Sequence, residues 1–271
     1  MTDFSAPGWN DIPARHWQGG PLDCSTCEHR DLLPQQACEP GRACLQDAYA
    51  RRIDRFFARH PALAARHLQH GYFEVRAIAA RHADVFLLPA LIDDPDETVR
   101  LQLALRLPQR QLQRLRGDPH REVRIRVAQR LAPEQLATMM HDADYQVRAT
   151  VARRLPVALL PLLARDADAQ VRQEVARRLD MPGLWPLAAD PEPEVRRVVA
   201  QRLPAPLLGR FSRDTDLLVR WEAAGRADET VLGLYLDDPD SEVRARAAHR
   251  RGLLRRPGLA SVPAPEELPH G

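Results

Sequence analysis

Apolar and polar positions recur along most of this chain with a long, fixed period. Val followed by Arg falls at Val75-Arg76, Val99-Arg100, Val123-Arg124, Val147-Arg148, Val171-Arg172, Val195-Arg196, Val219-Arg220 and Val243-Arg244, at a constant interval of 24 residues. Anchors this evenly spaced mark internal repeats, and these repeats dominate the fold. In the unit beginning at Asp118, Val123, Val127, Ala128 and Leu131 fall at i, i+4, i+5 and i+8, the stripe of an amphipathic α-helix. Further on in each unit come two more apolar columns. One holds Leu88, Leu112, Leu136, Leu160, Leu184, Leu208 and Leu232; the other holds Leu91, Leu115, Met139, Leu163, Leu187, Phe211 and Tyr235. The period-2 alternation of a strand is missing.

Punctuation sets the limits of each helix. Five residues before each Val stands Asp94, Asp118, Asp142, Asp166, Asp190, Asp214 or Asp238, with His70 in the first unit. Asp accepts a free backbone N–H and meets the positive end of the helix dipole, so this column is expected to be the N-cap. Pro95, Pro119, Pro191 and Pro239 follow it, where the first helical position tolerates proline. Pro108, Pro156 and Pro204 stop the helix just past its last Leu. The remaining stretch is too short for a second long helix plus two turns, so the Leu-x-x-Leu piece is expected to be one or two 3₁₀ turns. A single unit cannot bury its own stripe, so neighbours must stack.

Composition adds little to this picture and excludes some classes. Apolar residues make up 44% and charged residues 28%, a globular balance; aromatics are only 5%, so the core is Leu, Val and Ala. No run approaches a membrane span, and the first residues lack the basic end and apolar stretch of a signal peptide. The chain is therefore expected to be soluble and cytoplasmic. All 39 basic residues are Arg, and the net charge of +2 does not by itself imply nucleic acid.

Two Arg columns carry candidate chemistry. The Arg after each Val sits in the middle of the apolar arc, where a charge needs a partner. The Asp of the same or the next unit supplies one. This predicts a structural ladder of Asp94, Arg100, Asp118, Arg124, Asp142, Arg148, Asp166, Arg172, Asp190 and Arg196. A second column, Arg106, Arg130, Arg154, Arg178, Arg202, Arg226 and Arg250, flanks the stripe. It reads either as a solvated helix edge or as a stripe for an anionic partner. Residues 66–256 hold 32 Arg against 27 acidic residues, a mixed surface unlike a dedicated nucleic-acid domain.

Cys24, Cys27, Cys38 and Cys44 are the only cysteines, spaced C-x2-C-x10-C-x5-C. Such clustering points to a four-thiolate metal site, with the later pair brought round a turn at Glu39-Pro40-Gly41. Zinc and an iron–sulfur cluster both accept four Cys, and spacing alone does not separate them. Residues 45–59 read as a helix with Leu45, Tyr49, Ile53, Phe56 and Phe57 on one side, packing the metal domain onto the first repeat. Trp9 and Trp17 are available to shield a metal group or to pack a small domain.

The pattern D-P-x-x-x-V-R-x-x-V-A-x-R-L-P-x-x-x-L-x-x-L resembles the leucine-rich repeat variant family. The resemblance implies an all-α fold: a right-handed α-solenoid of alternating α- and short 3₁₀-helices. The four-Cys segment is similar to the iron–sulfur domain attached to that family, which implies a [4Fe–4S] cluster on Cys24, Cys27, Cys38 and Cys44, with zinc as the alternative. Three regions are expected: a metal domain and connecting helix over 1–65, the repeats over 66–256 and a Pro-rich tail over 257–271. No H-E-x-x-H, phosphate loop or nucleophile elbow occurs, so no enzyme is expected. The expected role is an iron–sulfur scaffold for a protein partner, redox partners included, since similar proteins accompany nitrogen-fixation genes. A nucleic-acid-binding solenoid and an electron-transfer protein are the alternatives.

Overall fold

The computed structural model describes residues 12–255; the tail and Trp9 lie outside the described residues. The described chain is helical, with no strand and only two isolated bridges, His16 with Asp47 and Glu39 with Ala43. Its α-helices are α1 (Ala50–Arg59), α2 (Phe73–His82), α3 (Glu97–Arg106), α4 (Gln109–Leu112), α5 (Arg121–Arg130), α6 (Tyr145–Arg154), α7 (Ala169–Arg178), α8 (Pro193–Arg202), α9 (Leu217–Arg226), α10 (Glu229–Leu236) and α11 (Ser241–Leu254). Between most of them runs a 3₁₀-helix, such as Val85–Leu91, Val157–Leu163 and Ala205–Phe211. The chain forms two compact halves that divide between Gln135 and Leu136, inside the repeats rather than between metal domain and repeats. No described helix is long and apolar enough to cross a membrane.

Ten-residue helices are marginal alone in water; here each is held by the next. In the first half α1 packs on α2, α2 on α3 and α3 on α5; in the second α6 packs on α7, α7 on α8, α8 on α9 and α9 on α11. The Val column and both Leu columns are buried throughout, from Val75, Leu88 and Leu91 to Val219, Leu232 and Tyr235. Each such side chain contributes on the order of 1.5–3 kcal/mol by leaving water. Two segments depart from the α/3₁₀ alternation. α4 is a short α-turn running into the 3₁₀-helix Gln113–Leu115, and α10 is fully α-helical. Unlike the segments interrupted by Pro89 and Pro161, both have an amide at every interior position, so the α-helical bond pattern is open to them.

The expected N-cap needs correction. The helices start two residues later, and the true caps are Asp96, Asp144, Asp168, Asp216 and Asp240, whose carboxylates accept the amides of the first turn. His120 and Glu192 occupy the same position without a side-chain bond. Consequently Pro95, Pro119, Pro191 and Pro239 lie in the preceding turn and not at the first helical position. The earlier Asp column closes that turn. Its Oδ1 accepts the amide two residues on, as Asp94 does from Asp96 at 3.0 Å and Asp190 from Glu192 at 2.9 Å.

That column's second task is the ladder. Arg76, Arg100, Arg148, Arg172, Arg196 and Arg220 each reach the Asp of the following repeat in a two-pronged pair. The Nε–Oδ2 distances run from 2.7 to 2.9 Å. The Nη2–Oδ1 distances run from 2.7 to 3.3 Å. Nη1 turns back to the repeat's own loop: Arg100 donates to Asp94 O and Pro95 O, and Arg172 to Asp166 O and Ala167 O. To the Arg of its own repeat, the Asp therefore offers only its carbonyl, and its carboxylate serves the repeat before. This explains His70 in the first repeat, where Arg76 needs nothing but the His70 carbonyl from that position.

Burial alone pushes the carboxyls of Asp94, Asp166 and Asp214 up, but the guanidinium and amide hydrogen bonds outweigh it and leave all three below the ordinary Asp value. The same bonds hold the partner guanidinia of Arg76, Arg148 and Arg196 above theirs.

The ladder can be tested in two ways. Arg172→Ala, which leaves Asp190 buried without its cation, is expected to lower unfolding stability by about 3–5 kcal/mol, read from denaturant titration; the double change Arg172→Met with Asp190→Leu is expected to cost far less. A single-variant loss under about 1 kcal/mol would contradict a buried pair. Because the folded carboxyls titrate below the unfolded value of about 3.9, their stabilisation is complete above that pH and is lost as pH falls through the lower folded values. Denaturant midpoints are therefore expected to be level near about pH 6 and to drop steeply below about pH 4.

Candidate metal centre

Residues 12–48 hold little regular structure, so turns and a few buried polar contacts shape this region. The first thiol pair sits on a tight turn. The Cys27 amide donates to Cys24 O, the Arg30 amide to Cys27 O, and the His29 amide to Cys27 Sγ at 3.4 Å. The second pair flanks the turn expected from Glu39-Pro40-Gly41. Glu39 and Ala43 exchange both backbone bonds at 2.8 Å, and Gly41 takes φ +80°, which suits glycine. The Cys44 amide then donates to Arg52 O, tying the last thiol to α1.

The structure brings all four predicted cysteines to one cavity, closed by Leu33, Pro40, Leu45, Phe56, His29 and Arg30. None is in a disulfide. Burial, the dominant influence, pushes the thiols of Cys27 and Cys38 up and that of Cys44 to about 11. A metal group must therefore displace protons here, and the gain in binding is coupled to folding of the pocket. The donor set is soft, and no carboxylate lines the cavity. Four thiols around one apolar cavity are the donor set that an iron–sulfur cluster takes and that a structural zinc accepts as well.

One buried ion pair organises the pocket, and no pattern in the sequence marks it. Arg52 and Asp47 pair at 3.1 Å with side chains 4% and 1% exposed. Arg52 Nη2 also donates to Ile12 O at 2.6 Å, and Asp47 accepts the Tyr49 amide at 2.9 Å. The residue that receives the Cys44 amide thus also anchors the incoming chain. The connecting helix is shorter than expected: α1 begins at Ala50, and Leu45 is buried ahead of it as part of the pocket wall. Trp17 stacks on Tyr72 at 5.4 Å and donates to Gln46, so it packs this region against the first repeat and does not line the thiol cavity.

The flank Arg column has a definite occupation. Arg106 Nη1 donates to Ala80 O and Ala83 O; Arg178 does the same to Ala152 O and Leu155 O, Arg202 to Ala176 O and Leu179 O, and Arg226 to Ala200 O and Leu203 O. Arg130 reaches Ala104 O, and Arg250 reaches Ala227 O. Arg154 occupies the same column, half-buried like the rest. These guanidinia close off carbonyls at the C-terminus of the preceding helix, which have no partner within it. Burial pushes Arg130 and Arg226 down from the ordinary Arg value. The column is therefore not a free solvated edge, since its guanidinia are anchored on backbone carbonyls.

A group beside the thiols carries no mark in the sequence pattern. His67 and His70 lie three positions apart, and their rings are 6.1 Å from each other. The nearer partner of His67 is His29, with the two Nε2 atoms 2.9 Å apart. Burial holds His29 and His70 below the usual imidazole value and takes His67 to about 4. The only available signal is a pair of His separated by 38 positions, which the chain order does not connect.

Comparisons with known proteins agree with this geometry. Residues 14–66 match the family described as "LRV protein FeS4 cluster", and residues 73–96 and 145–168 match "Leucine rich repeat variant". A Rhodobacter capsulatus protein, described as an uncharacterized 27.7 kDa protein in the nifB 3' region, is 50% identical over 92 residues; the match spans 34% of this chain and 38% of that protein. A solved structure described as a leucine-rich repeat variant with a novel repetitive protein structural motif superposes with a TM-score of 0.82 at 45% identity, over 88% of this chain and 100% of that one. With identity at that level over nearly the whole chain, the repeats and the four-cysteine segment together place this protein in the leucine-rich repeat variant family, with an iron–sulfur domain at its N-terminal end.

Proposed function

We propose that this protein is a protein-interaction scaffold whose N-terminal domain carries a [4Fe–4S] cluster. The observation that supports this most directly is the set of four thiols around one apolar cavity, within the segment that matches the FeS4 cluster family. Cys24, Cys27, Cys38 and Cys44 would hold the cluster, and when bound it supplies one-electron transfer. Phe56, Leu33 and Leu45 exclude water from the thiol side, and the His29 amide already donates to Cys27 Sγ, a bond of the kind that tunes a cluster's potential. With a cysteine for every corner, no iron is left open to a substrate, which favours a redox or structural role over catalysis. Unpaired thiols suit a reducing, cytoplasmic setting.

Stacked units offer a long surface for a partner. A redox protein is a reasonable class of partner, because the Rhodobacter capsulatus relative is encoded beside a nitrogen-fixation gene. The nucleic-acid reading is weakened by the fate of both Arg columns, whose guanidinia are held against Asp carboxylates and helix-end carbonyls. An electron carrier uses the same cluster and is told apart by a reversible potential.

Anaerobically purified protein is expected to be brown, with about four iron and four sulfide per chain and zinc well below one. Colourless, zinc-rich protein would overturn the cluster. Cys44→Ser is expected to lose most of the iron while the repeats stay helical by circular dichroism. Arg52→Ala, which strands Asp47, is expected to cost about 3–5 kcal/mol and to reduce retained iron. Titration with duplex DNA at low salt is expected to show negligible binding; tight binding with a steep salt slope would revive the nucleic-acid reading.

A further inference from the structure

Beside the thiol cavity, whose wall His29 also joins, three side chains from two segments converge. His29 comes from the turn after Cys27, and His67 from the last position of the 3₁₀-helix Pro61–His67 that leads into the first repeat. Both are more than nine-tenths buried, at 7% and 4% exposure. Their Nε2 atoms lie 2.9 Å apart. Glu28 Oε1 stands 3.9 Å from His29 Nε2 and 3.8 Å from His67 Nδ1, with its side chain about half open to solvent. One ligand atom from each of the three residues lies within 4.8 Å of the other two.

We propose that Glu28, His29 and His67 form a second metal site, for a single divalent transition cation of the zinc class. Bonds to imidazole nitrogen and carboxylate oxygen are about 2.0–2.2 Å, so ligand atoms on one ion lie up to about 4.2 Å apart; Glu28 Oε1 is inside that limit from His29 Nε2 and from the Nδ1 side of His67, and one ligand atom from each residue lies within 4.8 Å of the other two. Two imidazoles and one carboxylate are the donor set that borderline cations prefer over magnesium or calcium, whose ligands are oxygens. The open side of Glu28 gives the ion a way in and leaves coordination positions for water. The site differs in kind from its neighbour: nitrogen and oxygen donors here, against four sulfurs there. It also has a structural consequence. His29 belongs to the thiol domain and His67 to the approach to the repeats, so an ion here would clamp the two across Phe56 and Phe57, whose rings lie 5.2 Å from His29 and 5.8 Å from His67 respectively.

The proposal does not depend on what the thiols hold, and the test reads the two sites separately. Full-length protein, purified anaerobically and stripped with a mild chelator, is titrated with Zn²⁺ by calorimetry. Iron, sulfide and zinc are assayed on the same sample, and the bound zinc is examined by X-ray absorption. The expected result is one zinc per chain with iron and sulfide unchanged, nitrogen or oxygen neighbours at about 2.0 Å and no sulfur shell at about 2.3 Å. His67→Gln is expected to weaken zinc by about tenfold or more at unchanged iron. Glu28→Gln, an isosteric change at a half-exposed position, is expected to weaken it as well and decides the matter should the His67 variant misfold. Failure to retain zinc, a sulfur shell around it, or equal affinity in the Glu28 variant would overturn the site and leave a simple imidazole–imidazole hydrogen bond. Failure of the cluster alone would appear as missing iron with zinc binding intact.

Discussion

The Arg–Asp pair between successive repeats is the constraint on which the solenoid depends. A guanidinium in the middle of an apolar arc would be ruinous alone. Here each donor of the fork has a target: Nε and Nη2 on the next repeat's carboxylate, Nη1 on the repeat's own turn carbonyls. The carboxylate is equally committed, since Oδ1 also closes the turn that leads into its own helix. One pair therefore ties together the end of a turn, the start of a helix and the neighbouring repeat. Lysine, a point charge without a planar fork, does not replace it. Because Arg reaches 18 positions forward and six positions back, an added residue on either side breaks one of the two sets of bonds. The repeat length is set by this geometry as much as by the apolar columns.

The second Arg column solves the opposite end of each helix. Ten-residue helices terminated by an extended Leu leave their last carbonyls open, and the guanidinium one repeat on fills them. Together the columns give two arginines in each repeat a structural task. In these two columns a residue type that signals anionic ligands in many proteins holds the scaffold together. The N-terminal domain gathers thiols and imidazoles that the repeat pattern does not account for.

In that domain the physical problem differs. Few helices and little core are available, so a buried ion pair, a glycine turn and the thiol pocket shape the chain. Buried thiols above their ordinary pKa and buried imidazoles below theirs are costly to charge. Both are groups whose stability improves when a metal takes the place of the proton. The side of the domain facing the first repeat is lined by aromatic rings, with Trp17 on Tyr72 and Phe56 against Phe57, which gives the thiol segment a rigid support.

Repetition makes most of the fold legible in the amino-acid sequence. Columns such as Val99, Leu112 and Leu115 keep their register from repeat to repeat, so helix, 3₁₀ piece and core face can each be read many times over, and the four clustered cysteines announce their own site. Where two neighbouring columns offer the same chemistry, the chain alone does not decide between them: Asp94 and Asp96 are both good caps, and only the positions of the amides show which one starts the helix. Partners across repeats are likewise a tertiary matter. Whether Arg172 faces Asp166 or Asp190 depends on how one helix lies on the next, and the destination of Arg178 on carbonyls that carry no sequence signal. The same holds for His29 with His67 and Arg52 with Asp47. These pairs rest on a single convergence in space, without a period to repeat it, and burial gives them their chemistry only once the chain has packed.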